Sequence, residues 1–236
     1  MGLQGRTAPL RLHGPAGAER QLGALVALGM ERVKFPVEIV TLQPGDEVAR
    51  DGYRIVVGAA RHKGPSLAFA LVEPPRLGRF DPERARALGI PEGPLWGRIH
   101  RGEPVHLPDG RTVLPAELVG APRPGRRVVY SGDSIPAPEM VALARGADLL
   151  IHEATFGEDE AARARETFHS TARGAATVAR DAGAGRLVLT HLSARYSREA
   201  PELLAEARRV FGETIVARDG LTLEVGFPDE ETPRDT

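Results

Sequence analysis

The spacing of apolar residues in the first part of the chain predicts strands interrupted by one helix. Residues 37–40 and 53–57 alternate apolar and polar side chains, which is typical of half-buried strands. A shorter apolar run covers residues 10–12, and a further strand-like run covers residues 67–72. Residues 18–30 instead repeat their apolar positions with helical spacing, so they are predicted to form the helix.

The pattern changes between residues 74 and 124, where apolar periodicity is weak. This stretch is dense in Gly, Pro and Arg, and it predicts only a short helix at 82–88 and a hairpin at 103–113. Some fifty residues are too many for a routine connection. Segments of this kind are usually functional excursions or disordered, and both interpretations stay open at this point.

From residue 127 onward the pattern is that of an α/β protein. Three apolar strands, at 128–130, 149–151 and 187–189, each run into a polar tip. Helices are predicted between and after these strands, at 137–145, 171–181 and 201–210. A closing strand at 221–225 and an acidic, frayed tail from residue 228 complete the chain. We therefore expect one domain over residues 1–236 with an inserted excursion.

Composition and charge narrow the class of protein. The chain has 236 residues, 42% hydrophobic and 27% charged, which is ordinary for a globular protein with a full core. No apolar run approaches the roughly 18 residues that span a bilayer, and the first residues have no signal-peptide character, so we expect a cytoplasmic protein. A net charge of −1 lowers the expectation of nucleic-acid binding without excluding a local basic patch.

Side chains that could support hydrolytic chemistry stand at the predicted strand tips. These are Asp133, His152, Glu153 and His191, and His62 lies at another strand edge. Because the chain has no cysteine, a metal ion would have to be held by imidazole and carboxylate groups, which suit Zn²⁺ or a similar divalent ion. Each residue alone is equally explained as a loop or cap residue, since no two of them form a local metal-binding motif.

Four short motifs occur together in a characteristic order and spacing. They are Ser131-Gly132-Asp133, His152-Glu153-Ala154-Thr155, His169-Ser170-Thr171 and the run from Leu189 to Tyr196. In this combination the chain resembles ribonuclease Z, the endonuclease that trims the 3′ end of precursor tRNA, from Gly2 to about Val225. That family belongs to the metallo-β-lactamase superfamily. The resemblance implies an αβ/βα sandwich, which we expect to be incomplete at its N-terminus.

The resemblance also implies a role for each candidate residue. His62 corresponds to a ligand of the first zinc, Asp133 to the carboxylate that bridges both zincs, and His191 to a ligand of the second. His169 corresponds to the histidine that protonates the leaving 3′ oxygen, and Glu153 to the carboxylate that orients it. His152 is expected to have a packing or supporting role.

The segment at about 74–115 resembles the flexible arm with which this family grips the tRNA elbow, reaching across a homodimer. Gly93 and Pro94 match the Gly-Pro element of that arm. Between Arg76 and Arg111 there are seven Arg against five Asp or Glu, so the arm is only mildly basic. Trp96 lies inside it, and both stacking on RNA and burial at the base of the arm remain open for its side chain.

The strongest signature of the family, a His-x-His-x-Asp-His run that supplies most metal ligands, does not occur in this sequence. We expect it just upstream of residues 2–7, and we expect weak or absent zinc binding and an unpaired sheet edge in the chain as given. A start codon assigned too far downstream, a fragment and a short paralogue without catalysis all explain the difference.

The function that the resemblance implies is that of a zinc-dependent endoribonuclease which removes the 3′ trailer from precursor tRNA, as a homodimer. We expect the chain as given to be inactive, because it lacks the main metal-binding motif. Two alternatives remain at this point: a non-catalytic RNA-binding or partner subunit, and a phosphodiesterase of the same superfamily that acts on small substrates. The excursion favours a large substrate, because a small ester needs no fifty-residue arm.

Overall fold

The computed structural model describes residues 5–28, 35–196 and 199–227. Within these ranges the chain forms two compact units, described separately here. The first contains the described residues up to Val72 together with Arg127–Val225, and the second contains Glu73–Arg126 with residues 226–227. In the described ranges no helix is both long enough and apolar enough to cross a membrane.

The elements of the first unit alternate between strands and helices. Its strands are β1 (Leu10–Pro15), β2 (Val37–Leu42), β3 (Glu47–Arg50), β4 (Tyr53–Arg61), β5 (Pro65–Val72), β8 (Arg127–Tyr130), β9 (Leu149–Glu153), β10 (Leu187–Thr190) and β11 (Thr214–Val216). Its helices are α1 (Glu19–Ala27), α4 (Pro138–Leu143), α5 (Ala161–Thr167), α6 (Ala172–Ala182) and α7 (Pro201–Arg208). The second unit contains α2 (Pro82–Ala87), α3 (Pro94–His100) and the short strands β6 (Val105–His106) and β7 (Thr112–Val113).

A seven-stranded mixed sheet organises the first unit, in the order β11-β10-β9-β8-β5-β4-β3. The strands β8, β9, β10 and β11 are parallel to one another, so their carboxyl ends meet at one edge. Strand β5 runs antiparallel to both β8 and β4, which means that β4 also ends at that edge. Strands β1 and β2 pair with each other in a separate parallel sheet.

Helix α6 packs on this sheet through small side chains. Thr171 caps its N-terminus by accepting a hydrogen bond from the amide of Gly174 at 3.0 Å, and Gly183 ends it in the left-handed conformation. The buried face is almost entirely alanine, which lets the helix lie close to β9 and β10. Larger side chains of the sheet and of α4, such as Leu150, Leu187 and Met140, complete this core.

The second unit has a hydrophobic core of its own. Seven buried residues form it, namely Ala85, Ile90, Ile99, Val105, Leu107, Val113 and Leu118. Trp96 packs against this core, with its ring centroid 5.2 Å from that of Phe80, and its indole N–H donates to the carbonyl of Ile90 at 3.2 Å. Gly93 adopts a φ of 135° just before Pro94, which begins α3.

Several predicted elements differ from the observed ones. The predicted closing strand at 221–225 is wrong, since residues 221–227 form no strand and the last strand of the sheet is Thr214–Val216. Helices α3 and α5 and strand β3 were not predicted, because each is short and has little apolar periodicity. The end of the predicted helix at 18–30 and the predicted frayed tail from residue 228 lie outside the described residues.

Candidate active site

Topology brings the sequence-predicted residues to one edge of the seven-stranded sheet. His62 follows β4, Asp133 follows β8, Glu153 ends β9 and His191 follows β10. Since all four strands end at the same edge, these side chains converge there. His169 reaches the same place from the loop between α5 and α6, and the structure therefore brings all five predicted residues together.

The loops that carry these residues adopt uncommon backbone conformations. Gly132 has a φ of 60°, and a Cβ at this position would lie 3.0 Å from the carbonyl oxygen of Leu67, so the turn that presents Asp133 requires glycine. Phe168 and His191 have positive φ values of 61° and 55° although neither is glycine. Strained backbone of this kind is concentrated at functional sites, and both of these residues are part of this one.

Glu153 and His169 form a buried hydrogen-bonded pair. The Glu153 side chain is 1% exposed, and its Oε1 lies 2.8 Å from Nδ1 of His169. The carboxylate also accepts from the amide of Ser134 at 3.1 Å and from the amide and hydroxyl of Thr155 at 3.0 and 2.8 Å. With its lone pairs occupied in this way, Glu153 is suited to orient His169 and not to bind a metal ion.

His62 is held with one ring nitrogen available. Its Nδ1 lies 2.9 Å from the carbonyl oxygen of Phe168, and because a carbonyl can only accept, Nδ1 carries the proton. The other nitrogen, Nε2, therefore has a free lone pair in the neutral ring, as a metal ligand requires. The αL conformation of Phe168 is what turns its carbonyl toward His62.

Two overlapping groups of side chains have spacing suited to a metal ion. His62, Asp133 and His169 each offer one ligand atom within 4.8 Å of the others, and so do Glu153, His169 and His191. Nε2 of His191 lies 3.7 Å from Oδ2 of Asp133, which connects the two groups. Imidazole and carboxylate donors without thiols fit zinc or a similar divalent ion. His169 belongs to both groups, so its position is compatible with binding metal as well as with donating a proton.

His152 does not belong to these groups although it precedes Glu153. It is fully buried, and its Nδ1 donates to the backbone carbonyl of Glu153 at 2.7 Å. Burial holds the pKa of the His152 imidazole below its ordinary value. The ring is therefore neutral, and it supports the end of strand β9 from the interior.

Three supporting residues could not be assigned from the sequence. Thr155 contacts Glu153, His169 and His191, and the hydroxyl of Ser134 accepts from the amide of Arg61 at 2.9 Å. The hydroxyl oxygen of Tyr196 accepts from the amide of Gly157 at 2.8 Å and so supports the loop after β9. The only sequence signal for Thr155 and Tyr196 was their place in the quoted motifs, which names no contact.

A family model described as Beta-lactamase superfamily domain matches residues 102–192 of the chain. The matched range includes Asp133, Glu153, His169 and His191, whereas His62 lies before it.

Curated relatives match nearly the whole chain. Ribonuclease Z of Gemmatimonas aurantiaca is 54% identical over 99% of this chain and 76% of that protein. Ribonuclease Z of Myxococcus xanthus is 53% identical over 97% of this chain and 75% of that protein. Ribonuclease Z of Haloferax volcanii is 47% identical over 96% of this chain and 72% of that protein. The chain therefore spans about three quarters of the length of these relatives.

Solved structures with the same fold include human tRNase Z, short form, with a TM-score of 0.60, 22% identity and coverage of 96% of this chain and 71% of that chain. The metallo-beta-lactamase fold protein YhfI from Bacillus subtilis gives a TM-score of 0.59 at 20% identity, with 90% of this chain and 64% of that chain covered. At these identities the likeness concerns the fold, and it confirms the predicted α/β metallo-β-lactamase architecture.

Proposed function

Because the chain belongs to the ribonuclease Z family, we propose that it is a metal-dependent endoribonuclease that removes the 3′ trailer from precursor tRNA. The observation that carries this proposal is the buried Glu153–His169 pair beside His62, Asp133 and His191 at one sheet edge. Hydrolysis of a phosphodiester can use a histidine oriented by a carboxylate as general acid, next to ligands for a metal that activates water.

In this proposal His169 is the general acid. Attack of water on the phosphorus breaks the bond to the 3′ oxygen of the tRNA, and that oxygen needs a proton as it leaves. Glu153 accepts from Nδ1 of His169 at 2.8 Å, so the proton for the leaving oxygen comes from the opposite ring nitrogen, Nε2. Burial of Glu153 keeps the carboxylate in place and excludes water from its side of the pair.

His62, Asp133 and His191 are the proposed metal ligands, and zinc is the proposed metal. Their donor atoms are two imidazole nitrogens and a carboxylate, and the free lone pair on Nε2 of His62 supports this assignment. When bound, the metal would supply Lewis acidity toward the attacking water and the scissile phosphate.

The compact unit formed around Glu73–Arg126 is the proposed tRNA-binding arm, with Gly93 and Pro94 in the loop that begins α3. It carries exposed arginines such as Arg98 and Arg101, and an arm that binds folded RNA needs phosphate donors more than base contacts. We further propose that the protein acts as a homodimer in the cytoplasm, where precursor tRNA is its proposed substrate. A chain without cysteine, and so without disulfides, is compatible with that compartment.

The experiment that tests this function measures zinc content by elemental analysis and cleavage of a labelled precursor tRNA. If the gene carries in-frame coding sequence upstream of Met1, the extended protein is assayed as well. We expect the extended protein to make one cut at the 3′ boundary of the tRNA and to lose this activity when the metal is removed. Hydrolysis of bis-p-nitrophenyl phosphate with no cleavage of precursor tRNA would contradict the proposal and indicate a phosphodiesterase for small substrates.

A further inference from the structure

The hydroxyl of Thr155 lies within hydrogen-bonding distance of three side chains of the candidate site. Its Oγ1 is 2.8 Å from Oε2 of Glu153, 2.9 Å from Nδ1 of His191 and 3.2 Å from Nδ1 of His169. Thr155 is only 8% exposed, so bulk water does not compete freely for these contacts. One hydroxyl thus contacts the proposed acid pair and a proposed metal ligand.

Counting protons assigns a direction to each of these hydrogen bonds. A threonine hydroxyl has one proton to donate and two lone pairs to accept with. Oε2 of Glu153 also accepts from the amide of Thr155 at 3.0 Å, and a carboxylate oxygen can only accept, so the hydroxyl proton points at Glu153. The contact with Nδ1 of His191 can then be a hydrogen bond only if that nitrogen carries a proton and donates it.

This direction fixes the tautomer of His191. With the proton on Nδ1, the lone pair of the neutral ring is on Nε2, which lies 3.7 Å from Oδ2 of Asp133. That distance is too long for a hydrogen bond, and both atoms present electron pairs to each other. Such an arrangement suits a cation that both atoms bind.

His169 does not compete for the same lone pair. Its Nδ1 has a single proton, and the carboxylate of Glu153 at 2.8 Å is a nearer and stronger acceptor than the hydroxyl at 3.2 Å. One lone pair of the Thr155 hydroxyl therefore stays available for His191.

We propose that Thr155 is a positioning residue that couples the acid pair to the metal site. Its hydroxyl donates to the carboxylate that orients His169 and accepts from Nδ1 of His191, so it holds the His191 ring with Nε2 directed at Asp133. The part of this inference that concerns proton donation rests on the proposed function, whereas the tautomer of His191 and the affinity for metal do not.

The test compares two substitutions with the unsubstituted protein. Thr155→Val keeps the branched shape and removes the hydroxyl, and Thr155→Ser keeps the hydroxyl. Both keep the backbone amide that donates to Glu153. Thr177→Val is a matched control, because it removes a hydroxyl that donates to the carbonyl of Arg173 in helix α6 at 2.9 Å.

The first measurement is long-range ¹H–¹⁵N correlation of the histidine rings in the metal-free protein. We expect His191 to show the Nδ1–H tautomer in the unsubstituted protein, in Thr155→Ser and in Thr177→Val, and a mixture of tautomers in Thr155→Val. A proton on Nε2 of His191 in the unsubstituted protein overturns the proposal even if no variant folds. The proposal is also overturned if His191 keeps the Nδ1–H tautomer in Thr155→Val.

The second measurement is a zinc-binding isotherm followed by kinetics on precursor tRNA. Loss of a residue that orients a metal ligand typically weakens metal affinity by about 10–100-fold, and we expect this for Thr155→Val with recovery in Thr155→Ser. At saturating zinc we expect a lower kcat with little change in KM. A chain that binds zinc but does not cut tRNA would contradict the proposed function and leave the coupling to be judged by the tautomer and the isotherm. Equal and measurable zinc affinity in all four proteins would overturn the coupling through Thr155, and if zinc binds too weakly to measure, the tautomer of His191 decides.

Discussion

Among the single residues of the candidate site, the carboxylate proposed to orient the proton donor is buried, and the proposed proton donor and metal ligands are more exposed. Glu153 is buried and fully hydrogen-bonded, while His62, Asp133 and His169 are only partly covered and His191 is exposed. A proton donor and metal ligands must reach a substrate, whereas the carboxylate that orients the donor works best when water is excluded from it. The burial of each residue agrees with the role proposed for it.

His169→Ala tests the assignment of the general acid. Loss of such a group typically lowers the rate on the order of 10²–10⁴-fold, and we expect kcat for precursor tRNA to fall by this amount. Zinc content by elemental analysis and binding of precursor tRNA should stay nearly unchanged. Because His169 also lies within ligand distance of His62 and Asp133, loss of zinc would instead identify it as a metal ligand. An unchanged rate would mean that another group protonates the leaving oxygen.

The burial of His152 predicts how the free energy of unfolding depends on pH. In the unfolded chain a histidine takes up a proton near pH 6.5. In the folded protein burial keeps the pKa of His152 below that value, so the unfolded state binds more protons as the pH falls. This residue therefore lowers the free energy of unfolding in acid, by at most about 1.4 kcal/mol for each pH unit below the unfolded-state pKa.

Replacing this ring removes that contribution. Urea unfolding of His152→Leu between about pH 7.5 and 5 should show a smaller loss of stability than the unsubstituted protein shows. His106→Leu, which removes an exposed histidine of the β6–β7 hairpin, is the control for loss of a histidine outside the core. Identical slopes for all three proteins would show that His152 titrates normally in the folded state.

At the scale of elements, helix α6 supports the site by lying close to the sheet. Its buried residues are Ala172, Ala175, Ala176, Val178, Ala179 and Ala182, and the loop before its first turn carries His169. Small side chains let the helix approach β9 and β10 closely, and these strands end at Glu153 and just before His191. The distance between His169 and Glu153 thus depends on how closely α6 packs.

Ala176→Leu tests this packing. Ala176 is fully buried, so a larger side chain has no space, and overpacking of this kind costs about 1–3 kcal/mol of unfolding free energy. The midpoint of urea unfolding measures the loss. Arg173→Leu, on the exposed side of the same helix, is expected to change stability by less than about 0.5 kcal/mol. If both variants behave alike, α6 does not pack as closely as described.

At the level of the whole molecule, the described residues form one unit that carries the candidate active site and a second unit with its own core. The second unit leaves and rejoins the sheet at one point, because Val72 of β5 pairs with Arg127 of β8. Glu73 and Arg126 are joined there by backbone and side-chain hydrogen bonds, with Nη2 of Arg126 2.6 Å from Oε1 of Glu73. We therefore expect that residues 74–125 can be removed without displacing either strand.

Replacing residues 74–125 by a short glycine linker tests the role of this unit. If it binds tRNA away from the cut, KM for precursor tRNA should rise at least about tenfold, which corresponds to about 1.4 kcal/mol of binding. Hydrolysis of bis-p-nitrophenyl phosphate, which is too small to reach an arm, should change little. Equal loss on both substrates would show that the unit belongs to the catalytic body.

The apolar pattern of the chain alone predicts the central strands of the sheet and the types of side chain at its edge. Three apolar runs followed by polar tips correctly predicted β8, β9 and β10, because alternation and strand ends are local properties of the chain. The absence of cysteine restricted any metal site to imidazole and carboxylate ligands, and the structure brings His62, Asp133 and His191 together at one edge.

The hydrogen bonds between these groups, in contrast, depend on the folded structure. Glu153 and His169 are separated by 16 residues, and Thr155 and His191 by 36, so no spacing rule could reveal their hydrogen bonds. The core of the second unit could not be predicted for the same reason, since Ile99 and Val105 are isolated apolar residues that meet only after folding. Contacts between distant residues depend on strand order and loop conformation, and neither of these is written in a local pattern.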